Sequence, residues 1–306
     1  MKPKRISILS RYDQNELFGD LWQDDKQNKA LVAVFHGMAE HRFRYYWFAE
    51  KLNKAGYTVL LCDQRGHGES GPMRGYFAKE NGWLVNDADL ADLIGKAKAM
   101  LPEQPLFLFG HSMGSMSART YLKHHEAEVE KVVLSGTPSY SSAVGMAKVI
   151  ARMQSMFQGE KHYSKLIDKL GFGSLNAIIK DPRTPFDWLS QNQENVDAYI
   201  ADKDCGFIFT VSGYHSFLEG MQDVFLPGGW KVEKPDLPIA FFSGAEDPCS
   251  KPKEGFEKAV RFLKEQGYTR VSSKRYAGLR HEILNEKERD VVVKDIIHYL
   301  DNDKIS

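Results

Sequence analysis

The sequence predicts an α/β protein: a mostly parallel, doubly wound sheet with a block of helices inserted before its last strands. Three observations lead there. Short, continuous apolar runs alternate with amphipathic stretches, as expected for strands covered on both faces. Several runs end in Gly, His, Ser or Asp, where a strand gives way to a polar loop. From Thr137 to Pro238 the alternation stops, and segments rich in Met, Phe and Tyr take its place, punctuated by Pro182, Pro185, Pro227 and Pro235.

Taken in order, Arg5–Asp20 and Asp24–Lys29 are expected to supply an antiparallel hairpin at one sheet edge. Ala30–Phe35 is the first buried strand and ends at His36-Gly37. Tyr45–Ala55 carries Phe48, Leu52 and Ala55 at helical spacing and stops at Gly56. Tyr57–Cys62 is the next strand, followed by a helix over Val85–Met100. Leu106–Phe109 runs into Gly110-His111-Ser112-Met113-Gly114, and Met116–His124 reads as the helix beyond it. Val129–Leu134 and Ile239–Phe242 are further buried strands, and Arg270–Tyr276 is an alternating outer one. Helices over Lys253–Glu265 and Val291–Leu300 complete the core.

The organisation expected is therefore a core in two pieces, 1–136 and 237–306, with a helical cap over 137–236. Its patches are Val144–Phe157, Tyr163–Leu170, Val196–Ile200 and Phe207–Phe225. A cap inserted between core strands covers the C-terminal edge of the sheet, where open parallel sheets bind ligands.

Charge excludes some functions. Lys plus Arg equals Asp plus Glu at 41 each, which gives no electrostatic basis for holding nucleic acid. The three cysteines, Cys62, Cys205 and Cys249, are widely spaced, fitting neither a disulfide framework nor a metal site. The basic start, Met1 to Arg5, has no apolar stretch after it, and no run reaches the ~20 residues of a membrane span. A cytoplasmic location is expected, with no metal or organic cofactor.

The chemistry centres on the G-x-S-x-G pentapeptide. A serine hydroxyl is a weak nucleophile unless it is exposed beside a base and near amide donors. A strand-to-helix turn supplies that exposure, with glycines leaving room for the crowded backbone. The expected base is His281, in a loop after the last strand; His298 lies inside the closing helix. The orienting carboxylate is Asp247, just past the Ile239–Phe242 strand, with Glu246 as its neighbouring rival. The order Ser112, Asp247, His281 is that of an α/β-hydrolase. The oxyanion donors expected are the backbone N–H groups of Met113 and Met38. Asp63, Arg65 and His67 read as a turn that braces neighbouring loops, since no phosphate-loop pattern is present.

These motifs resemble the serine-dependent α/β-hydrolases of the monoacylglycerol lipase and lysophospholipase family, also called the hydrolase-4 or serine aminopeptidase S33 family. The matching stretches are His36-Gly37-Met38-Ala39-Glu40-His41, Asp63 to Ser70, Gly110 to Gly114, Ser243 to Pro248 and Arg280 to Glu286. Arg183 to Ser190 also resembles bacterial members called lysophospholipases. The family usually has glycine where Ser115 stands, and often an apolar residue where Pro248 follows the aspartate. The resemblance implies the Ser112–Asp247–His281 triad, Met38 and Met113 as oxyanion donors, and a helical cap.

The reaction expected is hydrolysis of a carboxylic ester with one long acyl chain. Met146, Phe157, Phe209 and Met221 are the expected lining of the acyl pocket, drawn from a wider stripe that includes Phe207 and Phe217. Transient contact of the cap with a membrane surface fits such a substrate. Two other readings stay open: an aminopeptidase or amidase holding a substrate amine on Glu219 or Asp223, and a non-catalytic ligand-binding protein on the same scaffold.

Overall fold

The computed structural model describes residues 2–23, 29–250 and 254–305. Among them eight strands form one sheet: β1 Lys4–Leu9, β2 Glu16–Trp22, β3 Leu31–Phe35, β4 Thr58–Cys62, β5 Leu106–His111, β6 Val129–Ser135, β7 Ile239–Gly244 and β8 Val271–Tyr276. Their spatial order is β1-β2-β4-β3-β5-β6-β7-β8. β1–β2 and β2–β4 pair antiparallel, and every other pair is parallel. The expected edge hairpin lies within Lys4–Trp22, tied by Arg5 opposite Asp20. Its second proposed arm, Asp24–Lys29, falls almost wholly outside the described residues.

The strands alternate their side chains between two cores, which makes the sheet doubly wound. Leu31, Ala33 and Phe35 pack with residues of α2 (Gly82–Met100), α3 (Met113–His125) and α8 (Glu254–Gln266). Val32 and Val34 pack on the other face, with Phe48 and Leu52 of α1 (Tyr46–Lys54) and Val292 and Ile296 of α9 (Arg289–Asn302). β3, β4 and β7 are buried along their whole length, which explains their unbroken apolar sequence.

Between β6 and β7 lie four helices: α4 Val144–Gln158, α5 Lys165–Phe172, α6 Gln193–Ala201 and α7 Val211–Phe225. Two are capped as their sequences specify. Ser164 accepts from the Ile167 N–H at the start of α5, and Thr210 accepts from the Gly213 N–H at the start of α7. Residues of α4, α5 and α7 share a third apolar core with Phe77, Trp83, Met113 and Met116, so the insertion is packed onto the sheet's C-terminal edge, while Tyr199 of α6 packs in a smaller cluster with Leu189 and Cys205. Gly75 and Thr210 fix this junction, the Thr210 N–H and hydroxyl both donating to the Gly75 carbonyl at 3.0 and 2.8 Å. Among the described residues no helix is long and apolar enough to cross a membrane.

Candidate active site

Ser112 sits where β5 turns into α3, with φ +53° and ψ −118°, a conformation that non-glycine residues rarely adopt. The flanking glycines are required by close approach. A Cβ at Gly110 would lie 2.2 Å from the Gly114 carbonyl oxygen, and one at Gly114 would lie 2.0 Å from the Phe35 carbonyl oxygen. The strained turn is anchored by the Ser112 N–H donating to the Ser135 carbonyl at the end of β6. In place of the usual glycine, Ser115 turns its hydroxyl back to the Ser112 carbonyl at 2.6 Å.

The loop after β3 wraps around this turn. The Gly37 N–H donates to Glu40 Oε1 at 2.5 Å, and Ala39 takes a positive φ of 53°. A Cβ at Gly37 would meet the Ser112 Cβ at 3.3 Å, so the Met38 main chain runs close to the serine. His36 braces the loop from below. Its Nδ1 bonds the Gly37 carbonyl at 2.7 Å and its Nε2 accepts from the Gln64 N–H, while burial lowers its pKa to about 4 and keeps it neutral. The Met113 amide opens α3 and is one of the N–H groups that a helix leaves without an internal acceptor.

His281 Nδ1 lies 3.0 Å from Asp247 Oδ1, and both side chains are buried. Asp247 is fixed by the Cys249 N–H at 2.9 Å and the Ser243 hydroxyl at 3.3 Å. Burial disfavours charge on either partner, yet each favours the other: His281 is raised well above the ordinary histidine value and Asp247 is held below the usual carboxylate range. Glu246 takes no part in this pair, its carboxylate accepting from Gln191 Nε2 at an exposed position. His298 is exposed on α9.

Ser112, His281, Met38 and Cys249 line one cavity of about 300 Å³, closed over by Phe172, Trp188, Phe207, Ile208 and Phe217 from the insertion. The expected acyl-pocket residues are placed elsewhere. Met146 and Phe157 are 66% and 83% exposed on the outer face of α4, whose buried residues are Val144 and Ala151. Phe209 and Met221 are buried in the third core, Phe209 packing against His67 and Phe77. Apolar sequence alone carries no facing: Phe207 and Phe217 point to the cavity, the other four do not. Asp223 is occupied by Lys123 and Thr120, each at 2.7 Å, and neither it nor Glu219 reaches the cavity.

Two buried networks support the site. Arg44 bridges Glu40 of the β3 loop and Glu282 beside His281, at 2.5 and 2.6 Å. Burial opposes the Glu282 charge, but Arg44 and Asn195 hold its pKa down to about 2. The Asp63–Ser70 turn is structural, as its composition suggested: Asp63 accepts from the Arg42 N–H at 2.8 Å, and Arg65 pairs with Asp89 at 2.9 Å.

The fold, with a serine on the sharp turn from β5 into α3, is that of an α/β-hydrolase. The chain belongs to the family described as serine aminopeptidase, S33 (Hydrolase_4), which matches residues 26–288. It is an enzyme of the hydrolase class. It is 28% identical over 282 residues to a monoacylglycerol lipase of Mycolicibacterium smegmatis, covering 92% of this chain and 91% of that one. It is 35% identical over 200 residues to the monoglyceride lipase of Rattus norvegicus, covering 63% of this chain and 58% of that one. A thermostable carboxyl esterase from Bacillus coagulans, solved with glycerol, superposes with a TM-score of 0.89 at 26% identity, over 98% of both chains.

Proposed function

We propose that this enzyme hydrolyses esters carrying a single long acyl chain, such as a monoacylglycerol or a lysophospholipid, through Ser112, His281 and Asp247. The observation that carries the reading is the His281–Asp247 pair opening onto the same largely apolar cavity as a serine held on a strained turn.

In this reading Ser112 Oγ attacks the ester carbonyl carbon while His281 Nε2 takes its proton. Asp247 holds the opposite ring nitrogen as N–H and stabilises the imidazolium. The negative charge moves to the carbonyl oxygen, which accepts from the Met38 and Met113 N–H groups. The tetrahedral species collapses, the C–O bond to the alcohol breaks, and the alcohol leaves with the proton from His281. Water, deprotonated by His281, then attacks the acyl-serine ester; the second collapse breaks the acyl–Oγ bond, His281 returns the proton to Ser112 Oγ, and the fatty acid is freed.

The helical insertion, residues 137–236, acts as a cap whose inner surface holds the acyl chain. Its outer surface is suited to a lipid aggregate. Met146, Val149, Met153, Met156 and Phe157 form an exposed apolar stripe on α4, continued by Leu166 and Leu170 of α5. Arg152, Lys161 and Lys165 provide exposed positive charge on the same two helices and the loop between them. A cytoplasmic enzyme acting at a membrane surface fits this arrangement. The test is a panel of esters varying in head group and chain length, with Ser112→Ala as control. Preference for single-chain lipid esters, lost in Ser112→Ala, supports the proposal; turnover of amino-acyl amides without ester hydrolysis overturns it.

A further inference from the structure

His281 sits in a slot with three walls. One is His111, the residue before Ser112, whose ring centroid is 4.7 Å from that of His281. The second is the bare backbone of Gly136 at the end of β6, where a Cβ would lie 3.1 Å from His281 Cε1. The third is the indole of Trp188, centroid 5.1 Å away and tilted by 44°. The first two walls belong to the sheet. The third comes from the inserted segment and lies 93 positions from His281 along the chain.

Trp188 is itself held firmly. Its backbone N–H donates to Asn176 Oδ1 at 2.9 Å, and the segment around it is bound to the loop that carries His281. The Glu282 N–H donates to the Leu189 carbonyl at 2.8 Å, and Arg280 Nη1 donates to the Asp187 carbonyl at 2.7 Å. Glu286 accepts from the Ser190 hydroxyl at 2.7 Å and from the Arg280 N–H at 2.9 Å, joining both segments to one carboxylate.

We propose that Trp188 is a positioning residue for the base: its indole holds the His281 ring in the orientation for proton transfer, and residues 187–192 form one rigid unit with the loop 280–286. This rests on the reading of His281 as the base of Ser112. Two physical effects support it. An aromatic wall removes the alternative ring orientations that an open slot would allow, and small misplacements of a base are costly in rate. An indole face also favours the imidazolium that forms when Ser112 gives up its proton. The His111 wall adds no competing charge, because burial and the neighbouring His281 hold its pKa near 3. It follows that this part of the insertion stays seated through the catalytic cycle.

The experiment is a double-mutant cycle on a short soluble ester, p-nitrophenyl butyrate, whose chain makes little use of the acyl cavity. Trp188→Ala, Trp188→Phe, His281→Ala and the double variant Trp188→Ala/His281→Ala are compared with the wild type. Unchanged melting temperatures establish that each is folded. Trp188→Ala is expected to lower kcat by about 10- to 100-fold with KM within about threefold, and Trp188→Phe to restore most of it. In the His281→Ala background, Trp188→Ala is expected to cost less than about twofold, because the residue acts through the histidine. A loss confined to KM, or one that persists in full without His281, overturns the proposal. If Trp188→Ala is unfolded, Trp188→Leu replaces it in the cycle under the same criteria. Near-normal turnover by His281→Ala would instead refute the underlying reading of the base.

Discussion

His281 and Asp247 form a buried hydrogen-bonded pair, 3.0 Å from Nδ1 to Oδ1, reached from two separate strands of the sheet. Burial works against the charge on His281, but Asp247 raises its pKa well above the ordinary value. A base must be unprotonated to accept the serine proton, so ester hydrolysis should rise with pH as His281 deprotonates. Asp247→Asn removes the charge and leaves the burial. Its pH profile of kcat/KM should therefore have an acid limb at lower pH, and kcat should fall by roughly 10⁴-fold as the tautomer is lost. An acid limb that does not move would mean that another group sets it.

The same pair makes stability depend on pH in two directions. The raised His281 contributes stability that is full below about pH 6.5, its unfolded value, and is lost as pH rises through the folded pKa. The depressed Asp247 contributes stability that is full above about pH 4 and lost as pH falls through its folded pKa. Thermal melts should show wild type gaining on Asp247→Asn between these limits and the advantage shrinking on both sides.

Arg44 joins the β3 loop to the His281 loop through Glu40 and Glu282. Glu282 is lowered to about 2 against an ordinary 4.5, so the pairing stabilises the fold fully above pH 4.5 and is lost as pH falls towards 2. Glu282→Gln should destabilise by about 3 kcal/mol near neutrality, the lower end for a buried pair because Glu40 remains on Arg44. Its melting temperature should also fall less steeply than that of wild type between pH 4.5 and 2.

Gly136 takes φ +55°, and a methyl group there would lie 2.9 Å from His111 Cε1 and 3.1 Å from His281 Cε1. Gly136→Ala should cost about 1–2 kcal/mol in backbone strain and lower kcat by at least about 100-fold as the base is displaced. Steady-state kinetics and a melt measure the two effects separately.

The stripe on α4 should serve lipid aggregates and not monomeric substrate. Met156→Ser/Phe157→Ser removes two side chains that are 82% and 83% exposed. It should weaken binding to phospholipid vesicles and slow hydrolysis of emulsified monoacylglycerol, while p-nitrophenyl butyrate turnover stays within about twofold. Equal loss on both substrates would assign these residues a structural role instead.

The sheet and the Ser112 turn were legible because their signals are local. A buried parallel strand needs unbroken apolar sequence, and the turn after β5 needs glycines at 110 and 114 to avoid main-chain collisions. The cavity lining was not legible in the same way. Phe207 and Phe209 are two residues apart and equally apolar, yet one faces the cavity and the other the core, because the segment between them is not helical and sets no period. Arg44 carries no local signal in the sequence, since Glu282, its partner, is 238 positions away. Trp188 lies in the Arg183–Ser190 stretch that carries a family resemblance, but no local pattern placed it at the site, because its contact with His281 comes only from the folded seat of the insertion.

Ser112 should become acylated during turnover, and rapid-quench mass spectrometry measures this directly. Enzyme mixed with excess p-nitrophenyl decanoate, quenched in acid within milliseconds and digested, should yield the peptide containing Ser112 with the mass of a decanoyl ester. The adduct should be absent from Ser112→Ala and should accumulate in step with the p-nitrophenol burst. Nitrophenol release without acylation of Ser112, or a decanoyl group on another residue that forms at the rate of turnover, would contradict it.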